Sequence, residues 1–200
     1  MVTLRDAELP TPAGRDDIMA MPISIPRYTV DEIESWPEDG NRYELLDGVL
    51  LVTPSPGAPH QLVATRITVA LAGFVTEWPD VNVASPGVII VRPKVELQPD
   101  VLVFRKPRGE TRWEKFTEHL LAVEVQSPST KVYDRDYKRS AYLSLGVKEV
   151  WRVDLDREIV FVSKLGGAVD QPHAEMIRWE PPGLGRTFTL EVRHLFRDLA

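Results

Sequence analysis

The chain has 200 residues, 43% hydrophobic and 27% charged, enough to bury one globular core. It has no cysteine, which excludes disulfides, thiolate metal sites and a cysteine nucleophile. The net charge of −6 argues against coating nucleic acid by bulk electrostatics, and no apolar run approaches the ~20 residues of a membrane helix.

In chain order, Pro10, Pro12, Pro22 and Pro26 with little periodicity predict a mobile arm over residues 1–24, which leaves 25–200 as a single domain. No segment near the amino terminus has the apolar length of a signal peptide, so a cytoplasmic location is expected. A short helix follows, with Thr29 as N-cap and Glu32 completing a capping box, and Pro37 ends it. Asp47-Gly48 between two apolar runs predicts a hairpin. Leu62, Ile67, Leu71, Phe74 and Val75 recur at helical spacing and predict a helix from His60 to Trp78. Two strands are expected over residues 81–92 and 95–105. The nearly continuous apolar run around Leu120–Val125 has the character of a strand in the middle of a sheet. A helix over residues 134–146, capped by Gly146, leads to a hairpin around Leu155-Asp156-Arg157. A loop, a strand near residues 186–192 and a short helix close the chain. The fold class is therefore mixed α/β, a central mixed sheet flanked by helices.

Glu124 is the most informative residue, because it lies in that apolar strand. An unpaired carboxylate out of water costs several kcal/mol, so Glu124 must be paired, protonated, at a solvated strand end or bound to a cation. Alternation puts Glu124 and Gln126 on one side of the strand. Asp100, after Pro99 and before an apolar run, would meet Glu124 if the two strands are neighbours. Oxygen ligands without sulfur favour Mg²⁺ or Mn²⁺. Asp134, Lys138 and Tyr142 stand at i, i+4 and i+8 along one helix face, so Lys138 can lean over the carboxylates or simply pair with Asp134. Only residues 101–140 are basic, nine cations against six anions, which makes that stretch the candidate for meeting a polyanion.

The blocks YELLDGVLLV, PHQLVATRI, QPDVLVF, LLAVEVQSPST, D-x-x-x-K-x-x-x-Y-x-x-x-G-V and EVWRVD, in that order over roughly residues 28–165, resemble the Uma-type family of restriction-endonuclease-like proteins. That family belongs to the PD-(D/E)XK nuclease superfamily. The resemblance implies a restriction-endonuclease-like core and Mg²⁺-dependent cleavage of phosphodiesters. It places the superfamily's aspartate on Asp100 and its second carboxylate on Glu124. The lysine expected two residues later is replaced by Gln126, and its role looks displaced onto Lys138. Glu44 matches the family's early glutamate, and His60 and Tyr142 match recurrent positions. In that reading Asp100, Glu124 and the carbonyl of Val125 hold Mg²⁺ or Mn²⁺, helped by Glu44. Lys138 orients the nucleophile or neutralises developing charge. Gln126 and Tyr142 position water or phosphate, and Lys131, Arg135 and Arg139 contact the DNA backbone.

Other readings of the same residues remain. A catalytically silent nuclease fold acting as a binding or assembly module accommodates both Gln126 and the acidic charge. A two-carboxylate glycoside hydrolase ranks below it, since aromatic residues do not cluster around Asp100 or Glu124 in the sequence. Taken alone, Glu44 reads as a solvated edge charge, His60 as a helix cap or packing residue, and Tyr142 as an aromatic at the edge of the core. The substrate class expected from the resemblance is nucleic acid, DNA first, and a homodimer would let two sites address two strands. No membrane partner is expected.

Overall fold

A computed structural model describes residues 25–53, 56–126 and 137–199. The arm expected over residues 1–24, and with it Lys131, Asp134 and Arg135, lies outside them. The described residues form strands β1 (Arg42–Leu46), β2 (Val49–Thr53), β3 (Val81–Ala84), β4 (Ile89–Val91), β5 (Val95–Leu97), β6 (Val101–Arg105), β7 (Glu118–Gln126), β8 (Glu149–Asp154), β9 (Ile159–Lys164), β10 (Gln171–His173), β11 (Met176–Trp179) and β12 (Phe188–Glu191). The α-helices are α1 (Val30–Glu34), α2 (Ala58–Val75), α3 (Arg139–Ser144) and α4 (Arg193–Phe196). None of them is long and apolar enough to cross a membrane.

The largest sheet runs β10-β9-β8-β7-β6-β3, with β7 and β8 parallel and the other pairs antiparallel. It is a mixed sheet with β7 near its middle, as the apolar run predicts. Leu121, Val123 and Val125 point to one face, where Val63, Ile67 and Leu71 of α2 cover them and Trp151, level with Val123 on β8, packs beside them. Ala122 points to the other face, against Tyr142, Val147 and Val150. Glu124 and Gln126 share that second face by alternation. Between Val103–Leu121 and Phe104–His119 the β6–β7 ladder shifts by one residue, a bulge at Leu120.

A smaller antiparallel sheet, β2-β1-β5-β4, carries the amino-terminal part. The expected hairpin is there: Asp47 and Gly48 have φ of 52° and 79°, the left-handed pair that a two-residue turn requires. Thr29 and Glu32 form the reciprocal capping box. The two strands expected over residues 81–105 are instead four. Pro86, Pro93 and Pro99 have no N–H for a ladder, so each breaks pairing, and β4 and β5 turn away into the small sheet. Gly87 marks the close approach where this happens. A Cβ there would lie 2.2 Å from that of Leu102, while its N–H donates to Pro99 O at 2.9 Å beside Asp100. In the tail, β10 joins the large sheet, β11 and β12 pair and α4 follows, so two strands beyond the expected one are present.

His119, on β7, is 5% exposed, and burial pushes its imidazole down to about 4 against the opposing pull of the Phe116 carbonyl. Because the folded value lies below the unfolded ~6.5, the unfolded chain binds the extra proton, and stability falls as pH drops from ~6.5 towards 4. Between pH 7.5 and pH 5 this one group is expected to remove about 2 kcal/mol. Urea unfolding of wild type and His119→Leu at both pH values checks it: the variant should lose less by about that amount, and identical losses would refute the assignment.

Candidate active site

Four separate pieces of chain converge on the second face of β7. Pairing of Val101 with Val123 puts Asp100, one residue before β6, level with Glu124. Asp100 is 4% exposed, and its Oδ2 accepts the Val125 N–H at 2.8 Å, so its side chain reaches across to β7 beside Glu124. The same Oδ2 is 3.0 Å from His60 Nε2, delivered by the first turn of α2, and Oδ1 is 3.1 Å from Arg42 Nη1 on β1. Burial alone would raise the Asp100 pKa. The His60 hydrogen bond and charge, the Arg42 guanidinium and the Val125 amide outweigh it and hold the carboxyl below its ordinary value. The ionised form therefore contributes stability above the unfolded carboxyl range, and this is lost as pH falls through the depressed folded value.

Glu44 lies on β1 and is fully buried. Its Oε1 accepts the Gln98 N–H at 2.7 Å, and its Oε2 lies 2.7 Å from Lys138 Nζ. Lys138 also reaches Glu124 Oε1, at 3.3 Å, so the Glu44 and Glu124 oxygens it bridges lie within about 6 Å of each other. Lys138 is itself only 3% exposed. It stands at the N-cap of α3, and Tyr142 one turn on donates its hydroxyl to the same Glu124 oxygen at 2.5 Å. The i, i+4 spacing puts Lys138 and Tyr142 on one face, as the sequence predicts, and the structure directs both to Glu124. Burial, then the charges of Glu124 and Glu44, push the Tyr142 phenol well above its ordinary value, so it is a fixed donor near neutral pH and not a base.

Glu44, His60 and Tyr142 thus have contacts that their bland readings as edge charge, cap and packing residue did not include. Gln126 and Arg139 lie in an adjoining network. Gln126 Oε1 accepts from Arg152 Nη1 at 3.2 Å, Arg152 donates to Asp170 at 2.6 Å, and Arg139 pairs with the same Asp170. Arg152, level with Glu124 on β8, is 4% exposed and lies 5.0 Å from the Phe161 ring centroid. A buried guanidinium therefore meets the Gln126 amide oxygen. Arg42 and Arg152 were not anticipated. Each precedes or follows apolar residues in an alternating strand, and nothing in their local sequence distinguishes them from solvated strand charges.

Chemically, three buried carboxylates are oriented by an amine, a guanidinium and an imidazole. Each anion has a defined orientation, and hard oxygen donors face one another around an ammonium.

Residues 30–192 match the model of the Uma2 family, described as "Putative restriction endonuclease". No curated protein matches the chain. Among solved structures, the "putative nuclease belonging to DUF820" from Anabaena variabilis ATCC 29413 is similar, with a TM-score of 0.69 and 20% identity. The likeness covers 86% of this chain and 99% of that one, and at such identity it speaks for the fold.

Proposed function

Because the chain belongs to the Uma2 family, we propose that it is a divalent-metal-dependent endonuclease that hydrolyses phosphodiester bonds in DNA. The observation that carries this reading is the convergence of buried Glu44, Asp100, Glu124 and Lys138 from separate elements. The donor set fits a hard cation: carboxylate and carbonyl oxygens, with no sulfur. Among the described residues, no group of three or more His, Asp or Glu side chains is arranged to hold a metal. The ligands proposed for the ion are Asp100, Glu124 and the Val125 carbonyl, helped by Glu44, a small set that suits Mg²⁺, which usually keeps several waters. When bound, the ion supplies Lewis acidity at the phosphate and a water of lowered pKa.

The chain's own groups do the rest. Lys138, held by Glu44, offers N–H donors to the attacking water or to a phosphate oxygen where negative charge develops. Tyr142 fixes the Glu124 carboxylate, and His60 and Arg42 fix that of Asp100. Gln126 and Arg139 support the site through Arg152 and Asp170, while Lys131 and Arg135 are proposed backbone contacts, which give affinity without sequence choice.

Supercoiled plasmid incubated with the protein and Mg²⁺ or Mn²⁺ should be nicked or linearised, and EDTA should abolish this. Calorimetry should find Mn²⁺ binding that Glu124→Gln removes. No cleavage with any divalent metal would exclude the enzyme. One observation then favours a silent nuclease-fold binding module: every carboxylate of the site already has a protein cation or donor. A homodimer belongs to the enzyme reading, and light scattering at micromolar concentration tests it.

A further inference from the structure

Beside the carboxylates, α1, β1 and β5 enclose a cleft of about 470 Å³. Its walls include Trp36 and Tyr43, packed edge to face with ring centroids 5.1 Å apart, and Arg42, whose Nη1 is the group that touches Asp100. The cleft and the acidic cluster therefore share the Arg42 side chain. Glu96 also lines it and is only 9% exposed. Glu96 Oε1 accepts from Gln98 Nε2 at 3.2 Å, whereas its Oε2 has no hydrogen-bond partner. Gln98 has both amide hydrogens directed within the protein, to Glu96 and to the Tyr43 carbonyl, and its own N–H goes to Glu44.

A buried carboxylate oxygen without a donor is destabilising, by the full desolvation of that atom. Rotation about the terminal torsion of a glutamate is soft, so the oxygen can turn to meet a donor in the cleft. The donor has to belong to a flat, partly apolar group, since aromatic side chains form the wall. It also has to be attached to an anion that Arg42 can receive at the mouth. An unstacked nucleobase on its phosphate has this shape, and the amino group of cytosine is the partner that a glutamate accepts from.

We propose that this cleft is a base-binding subsite that takes an unstacked nucleobase carrying an exocyclic amino group, with Glu96 accepting from that group and Arg42 holding the adjoining phosphate. Thymine and uracil present a carbonyl oxygen at the same place, which a carboxylate repels. Burial already holds the Glu96 carboxyl above its ordinary range, so a bound donor relieves an existing strain on its ionised form. The subsite deepens the nuclease reading and rests on it for the position of the phosphate.

The test uses the full chain in EDTA at pH 8 and fluorescently labelled single-stranded octamers of deoxycytidine and deoxyuridine, which differ in the group at C4 and in the proton on the neighbouring N3. Fluorescence anisotropy should give tighter binding of the cytidine octamer by roughly 5- to 100-fold, the range of one good base contact. In Glu96→Gln the preference should collapse or invert, because an amide N–H₂ can face a carbonyl. Equal affinity of wild type for the two octamers overturns the inference, as does a preference that survives in Glu96→Gln. The wild-type ratio needs no variant to fold. Since no metal is present, the outcome is independent of cleavage: an active nuclease without base preference removes the subsite alone, and a base preference without cleavage removes only the enzyme.

Discussion

Lys138→Met is expected to destabilise the protein by about 3–5 kcal/mol at pH 8, the loss typical of removing one partner from a buried ion pair. The reason is local. Lys138 is the ammonium between Glu44 and Glu124, and without it two buried carboxylates face each other within about 6 Å. One of them then takes up a proton, so its folded pKa rises above the unfolded ~4.3. A raised carboxyl pKa means that the folded state binds the extra proton, and stability then falls as pH rises above the unfolded value. The variant should accordingly be closer to wild type at pH 5 than at pH 8, and Glu44→Gln added to Lys138→Met should recover part of the loss. Urea unfolding of wild type, single and double variants at the two pH values measures this. A loss below about 1 kcal/mol, or one equal at both pH values, would show that Lys138 does not bridge the carboxylates.

Asp100→Asn should lower the single-turnover rate of plasmid cleavage with Mg²⁺ by about a thousandfold, equivalent to ~4 kcal/mol of lost transition-state stabilisation. The substitution is nearly isosteric, yet it replaces an acceptor-only group that meets the Val125 N–H, Arg42 and His60 with an amide carrying its own donors. A stability loss of about 1–3 kcal/mol should accompany it. Rates are therefore compared at a temperature where both proteins are folded. Cleavage at the wild-type rate by Asp100→Asn would refute the assignment of this residue.

Much of the site was legible in the sequence because a few residues contradicted their surroundings. A glutamate inside an apolar strand needs a partner, and Asp100 before a run of strand residues was the available second carboxylate. The i, i+4 relation of Lys138 and Tyr142 put both on one helix face before any coordinates. The hairpin at Asp47-Gly48 and the cap at Thr29 were equally readable, since each is decided by backbone conformations that only a few residue types favour. Resemblance of the ordered blocks added Glu44 and His60, which local pattern alone would have left as surface or capping residues.

Other features depended on contacts between residues far apart in the chain. Arg42 meets Asp100 fifty-eight residues later, and Gln98 ties Glu44 to Glu96 across β1 and β5. The three prolines of residues 86–99 signalled interruption, but not that the interrupted piece would join a different sheet. Composition and periodicity therefore determined the mixed α/β class, the central strand and the presence of a carboxylate, Glu124, inside it. Tertiary structure decided which cation faces which carboxylate, because strand register and helix placement, set by packing of the whole core, bring together side chains whose local sequences carry no record of one another.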